Sequence, residues 1–92
     1  MEVERILEEM RKQKNVVNAE VWDSNLNDGF RIETNSKKNN VAEKILDKLI
    51  SLVGDKNEDY HFGMKLRSSF IKEDRYDDED SYVIYGEPLE DF

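Results

Sequence analysis

Cysteine is absent from this 92-residue chain, which removes disulfides, thiolate metal ligands and thiol nucleophiles together and fits a reducing compartment. No stretch approaches the roughly 20 apolar residues of a membrane span. Residues 1–9, Met-Glu-Val-Glu-Arg-Ile-Leu-Glu-Glu, lack the basic start and apolar centre of a signal peptide. Histidine occurs once, as His61; general acid–base chemistry there would need a carboxylate and a nucleophile held beside it. Asp59, two residues away along the chain, does not make that constellation. There is no His-x-x-x-His pair, no phosphate-cradling glycine loop and no nucleophile elbow. These absences give the expectation of a soluble, cytoplasmic, non-enzymatic protein with neither metal nor cofactor.

What is abundant is charge. Charged residues make up 39% of the chain and apolar residues 37%, against about 25% charged in ordinary globular domains. A chain of this length forms one domain, residues 1–92, and buries about 60 to 65% of its unfolded surface. The formal net charge is -8, and it is regional. Residues 73–92 carry nine acidic residues against one basic, while residues 1–72 carry thirteen of each. The excess therefore sits in the last fifth of the chain, and a field of one sign concentrated there steers partners of opposite sign. Tyr76, Tyr82, Tyr85 and Phe92 fall in the same stretch, with Val83 and Ile84 between them. Disordered acidic tails are poor in such residues, whereas tyrosine is enriched at protein interfaces.

Periodicity divides the rest. Val3, Ile6, Leu7 and Met10 lie on one helical face within residues 2–14, with glutamates in the first turn and Arg11, Lys12 and Lys14 in the last, as the helix dipole favours. Asn15 is the expected terminator. Residues 16–22 read as a strand, Val17, Ala19 and Val21 on one face and Val16, Asn18, Glu20 and Trp22 on the other. The turn-rich Asp-Ser-Asn-Leu-Asn-Asp-Gly of residues 23–29 leads to a strand at 30–34, Phe30, Ile32 and Thr34 inward, completing a hairpin. A second helix runs from a cap at Asn40, with Glu43 three residues later, to Gly54. Its core positions are Ala42, Ile45, Leu46, Leu49 and Val53, leaving Val41, Ile50 or Leu52 for the other helix or a partner. Residues 61–71 read as a long strand with Phe62, Met64, Leu66, Ser68 and Phe70 inward. Residues 81–86 read as the last strand, Tyr82 and Ile84 alternating with Val83 and Tyr85, and Pro88 ends regular structure. The order α-β-β-α-β-β predicts an α+β fold: two helices on one face of a four-stranded, mainly antiparallel sheet. Residues 87–92 are read as a flexible acidic tail.

Two further groups bear on function. Asp74, Asp77, Asp78, Glu79 and Asp80 cluster the carboxylate oxygens that hard cations take, but lack the central glycine and terminal glutamate of a helix-loop-helix calcium loop, so only weak, non-specific cation binding is expected. Trp22 has two readings, packing under a loop or over the second sheet face, or serving as an aromatic anchor in a binding surface. Lys37, Lys38, Lys65 and Arg67 form no broad cationic stripe, which argues against direct nucleic-acid binding.

The acidic run from Asp74 to Asp80 with Glu87, Glu90 and Asp91, on a small cysteine-free αβ chain, resembles the small acidic inhibitors of viruses and mobile elements, including anti-CRISPR proteins and other nucleic-acid mimics. The resemblance is one of composition. It implies a non-enzymatic inhibitor acting in the cytoplasm, that of the host for a virus-encoded chain, on a basic nucleic-acid-binding enzyme or effector complex. The partner-binding residues expected on this reading are Trp22, Asp74, Tyr76, Asp77, Asp78, Glu79, Asp80, Tyr82, Tyr85 and Glu87. The alternative is a small homodimeric structural or regulatory module joined through the second helix or a strand edge.

Overall fold

In the computed structural model, residues 3–69 and 80–89 are described. Helix α1 spans Val3–Arg11 and buries Ile6, Leu7 and Met10, the stripe expected from spacing. It stops short of Lys14 because the chain tightens: Lys12 and Gln13 N–H donate to the carbonyls three residues back, and Asn15 turns the backbone with φ 72°. Strand β1 (Val16–Glu20) then pairs antiparallel with β2 (Phe30–Thr34), with a bulge between Val16 and Asn18. The bulge corrects the expected facing. One extra residue reverses the alternation, so Ala19 is buried while Val17 is 61% exposed.

The segment joining β1 to β2 is closed by carboxylates. Asp23 Oδ1 accepts the N–H groups of Asn25 and Leu26 at 2.9 and 3.2 Å, and Asp23 and Asp28 bond each other through their backbones. Asp28 Oδ1 accepts Gly29 N–H at 2.7 Å and the Tyr60 hydroxyl at 2.6 Å. Gly29 has φ 82°, and a side chain there would meet Trp22, the Gly86 carbonyl and Pro88 at 2.6 to 2.8 Å.

Helix α2 occupies Asn39–Val53, two residues earlier than expected at its start, and the asparagine–glutamate cap is not made. Lys38 takes the cap position without a side-chain bond, and its carbonyl accepts from Val41 and Ala42. Gly54 closes the helix with φ 65°, its N–H donating to the Ile50 carbonyl. Ala42, Ile45, Leu49 and Val53 are buried, and Leu46, Val41 and Leu52 pack partly against the core. A 3-10 segment, Gly54–Asp59, leads into β3 (Tyr60–Leu66), a second 3-10 turn follows at Arg67–Ser69, and β4 spans Tyr82–Pro88.

The strand order is β1-β2-β4-β3, every pair antiparallel. Two helices pack on the face that carries Phe30, Ile32, Thr34 and Ile84, all fully or almost fully buried. The α+β layout read from the chain is thus the observed one. Four local expectations are corrected. The long strand over 61–71 ends at Leu66, because Arg67–Ser69 turns to bond Ser81 and Asp80. Leu66, at the end of the edge strand β3, is 36% exposed and not a core residue, while Tyr60, one residue before the expected start of that strand, is its buried first residue. Pro88, expected to lie beyond the last strand, is its final residue. Its missing N–H points past Phe30, the first residue of β2, where no ladder bond is needed. Glu87 and Pro88 pair with His61 and Tyr60, and Leu89 N–H donates to the Asp59 carbonyl at 2.9 Å, so the expected flexible tail is strand through Pro88. Of that tail, residues 90–92 lie outside the described residues, as does Phe70.

Candidate functional site

Strand alternation sends one set of side chains away from the helices, and those side chains make the outer sheet face. Register places Glu20, Arg31, Tyr85 and Gly63 in one row across the sheet, and Asn18, Glu33, Val83 and Lys65 in the next. Tyr85 sits at the centre. Gly63 lacks the side chain that would strike the Tyr85 ring, so the ring lies across the neighbouring strand. Trp22 packs on it with centroids 5.4 Å apart and planes inclined by 37°, His61 lies at 6.2 Å, and the Lys65 ammonium is 6.0 Å from the ring centroid. Arg31 Nη2 is 3.5 Å from Glu33 Oε1, and its Nε is 3.8 Å from Glu20 Oε1. Asn18 Nδ2 donates to Glu33 at 3.3 Å. The described charges of this face therefore largely compensate one another.

The acidic segment joins the sheet at the far end of the β3–β4 hairpin. Its base is fixed. Asp80 accepts the Ser68 hydroxyl on Oδ2 at 2.7 Å and the Ser68 and Ser81 N–H groups on Oδ1, each at 3.0 Å. Arg67 N–H donates to the Ser81 carbonyl at 2.7 Å. The Ser68 hydroxyl is the first cause holding the Asp80 carboxyl below its ordinary pKa; the Ser68 and Ser81 N–H groups and Lys37 act the same way, against the opposing cost of desolvation.

Of the expected partner-binding residues, the structure gathers Trp22, Tyr85 and Glu87 toward the outer face. Tyr82 lies on the opposite, helix-covered face, its hydroxyl accepting from Asn39 Nδ2 at 3.4 Å, so it is not joined to them. Asp80 is at the hairpin base, both its oxygens engaged in local bonds. Asp74, Tyr76, Asp77, Asp78 and Glu79 lie outside the described residues. The reading of Trp22 as packing over the second sheet face matches its contact with Tyr85. Sequence reasoning missed His61, Gly63 and Lys65 as neighbours of Tyr85. The available signal was Gly63, since a glycine inside a strand marks a close approach by another group.

Among the described residues no group of three or more His, Cys, Asp and Glu side chains is placed to hold a metal ion, and no helix is long and apolar enough to cross a membrane. The fold defines an α+β domain whose two helices cover one face of an antiparallel sheet. Compared with protein-family models, curated proteins and solved structures, the chain matches none.

Proposed function

We propose that this chain is a non-catalytic binding or inhibitor protein that presents carboxylates and aromatic rings to a basic, nucleic-acid-binding partner protein. The observation that supports this reading is the base of the β3–β4 hairpin. Bonds among Ser68, Asp80, Ser81 and Arg67 hold together the two chain ends from which residues 70–79 depart, and those residues hold Glu73, Asp74, Asp77, Asp78 and Glu79. A connection with fixed ends spends less conformational entropy on binding than a free tail. β4 continues from that base to Tyr85, which packs on Trp22, and on to Glu87, so a partner engaging the acids has aromatic surface within the same hairpin. Carboxylates set in this way meet the lysines and arginines that otherwise hold phosphates.

The test uses the Asp77→Asn, Asp78→Asn, Glu79→Gln triple variant. Asp80 is left intact because its substitution would loosen the base. On immobilised wild-type protein, basic nucleic-acid-binding proteins from a cell lysate are retained at low salt, released at high salt and displaced by added DNA or RNA. The triple variant retains much less of them. Equal retention by the two proteins, or retention indifferent to salt and nucleic acid, would assign the acids to solubility alone.

A further inference from the structure

The two edges of the sheet are built differently. β1 carries the bulge at Val17, and its Ala19 carbonyl is taken by the Arg11 guanidinium, with Nη2 and Nε at 2.8 and 3.1 Å. Both features obstruct a further strand. β3 is seven residues long, in unbroken register with β4, with no proline and no bulge.

Its hydrogen-bond phase follows from two bonds at its ends. Leu89 N–H donates to Asp59 O, and Arg67 N–H to Ser81 O, so the odd-numbered residues from 59 to 67 bond β4. The N–H and C=O groups of Tyr60, Phe62, Met64 and Leu66 therefore face the free edge. Two of these groups are satisfied within the chain: Tyr60 N–H donates to the Asn57 carbonyl, and the Leu66 carbonyl accepts the Ser69 hydroxyl at 2.7 Å. Among the described residues the rest of the edge has no partner in the same chain.

We infer that β3 pairs antiparallel with β3 of a second copy of this chain, about a two-fold axis at Gly63. The pattern of free groups is self-complementary only around that point. With Gly63 on the axis, Phe62 faces Met64 of the second copy and Tyr60 faces Leu66. Phe62 and Met64 exchange both bonds of their pair, and Leu66 N–H donates to the Tyr60 carbonyl of the second copy. The remaining bond of that pair would join Tyr60 N–H to the Leu66 carbonyl, the two groups already satisfied internally. Every free group of one copy thus meets a free group of the other.

The side chains agree with this register. Phe62, Met64 and Leu66, half-buried or exposed at the edge of the helix-covered face, form an apolar row that the same row of the second copy would cover. On the outer face Asp59 falls opposite Arg67 of the second copy, pairing unlike charges at both ends of the junction. On the axis itself two glycines meet, where strands approach to about 4.5 Å between Cα atoms.

The experiment combines sedimentation with amide exchange on the full chain, and it separates this contact from the binding of a basic partner. The mass should rise from 10.9 kDa toward twice that value between micromolar and millimolar protein, and more readily at high salt, since each copy carries -8. The Phe62, Met64 and Leu66 amides should exchange more slowly in the concentrated sample, and the Tyr60 amide should not change. Met64→Pro removes an edge N–H that β4 does not use, so a folded variant should stay at 10.9 kDa. A mass of 10.9 kDa throughout would overturn the inference. So would a doubling whose protection falls on β1 or α2, or a folded Met64→Pro chain that dimerises like the wild type. Should that variant fail to fold, the wild-type exchange pattern decides.

Discussion

The two faces of the sheet are made by the same four strands and do opposite work. On the helix side, Ile6, Leu7, Met10, Leu49, Phe30, Ile32 and Ile84 are buried to 1% exposure or less, and transfer of that apolar surface from water holds the fold together. On the other side, Tyr85, Trp22, Arg31, Glu20 and Lys65 remain in part at the surface and interact through rings and charges. Each such contact contributes little to stability. The difference teaches that truncating the partly exposed side chains of the outer face costs the fold little and truncating the inner ones costs it much, with Val83, fully buried in an outer-face row, as the exception.

The largest effect expected from breaking this contrast is on the inner face. Leu49→Ala should cost about 2 to 5 kcal/mol in urea melts, enough to unfold much of a domain this small. Leu66→Ala, on the same side but 36% exposed at the end of β3, should cost less than half as much. Equal losses would mean that Leu66 is covered by the core after all.

Tyr60→Phe comes next, at about 1 to 2 kcal/mol, because the Asp28 carboxylate loses one of two donors. The Tyr60 hydroxyl has its pKa raised by burial first, and then by the bond to Asp28 and the charges of Asp28 and Asp59. A tyrosine whose folded pKa lies above its unfolded value stabilises the fold fully below about pH 10 and loses that contribution as pH rises further. Melting temperatures should therefore fall above that pH in the wild type, and fall less in Tyr60→Phe.

Gly63→Ala should cost about 1 kcal/mol, as the Tyr85 ring end gives way to the new methyl group. The ring's shift should alter Trp22 fluorescence, since the two side chains touch. Unchanged emission would separate Trp22 from Tyr85 in solution. Asp80→Ala should have the smallest effect on global stability, because its bonds lie near solvent. With its folded pKa lowered, Asp80 contributes above about pH 4 and loses that contribution as pH falls through the folded value. Acid melts of wild type and variant should converge there.

The inner face was legible in the chain where one residue type marks each step. Phe30, Ile32 and Thr34 alternate without interruption, and Ile45, Leu49 and Val53 repeat at helical spacing, so their burial followed directly. The bulge at Val17 was hidden, because an extra residue within Val-Val-Asn-Ala leaves no glycine or proline to betray it. The stop after Leu66 depends on Asp80, twelve residues further on and fixed by bonds to Ser68, and local pattern does not report such a partner. The cap falls at Lys38 instead of Asn40, where the Lys38 carbonyl accepts from Val41 and Ala42 and no side chain bonds the helix start, an outcome that the asparagine–glutamate spacing did not report. On the outer face, Trp22 and Tyr85 were each visible as candidates, but their meeting is a product of strand order. It needs β4 beside β2, which brings Tyr85 next to Arg31 and within reach of Trp22.

The most direct test of the central claim, that the acidic connection of the second hairpin is a partner-binding surface on a fixed base, is the retention of basic nucleic-acid-binding proteins by the Asp77→Asn, Asp78→Asn, Glu79→Gln variant against the wild type across a salt series. The account predicts that the variant folds with an unchanged melting midpoint, binds weakly at low salt and shows a flattened salt dependence. An equally stable variant with wild-type retention and an unaltered salt dependence would contradict it.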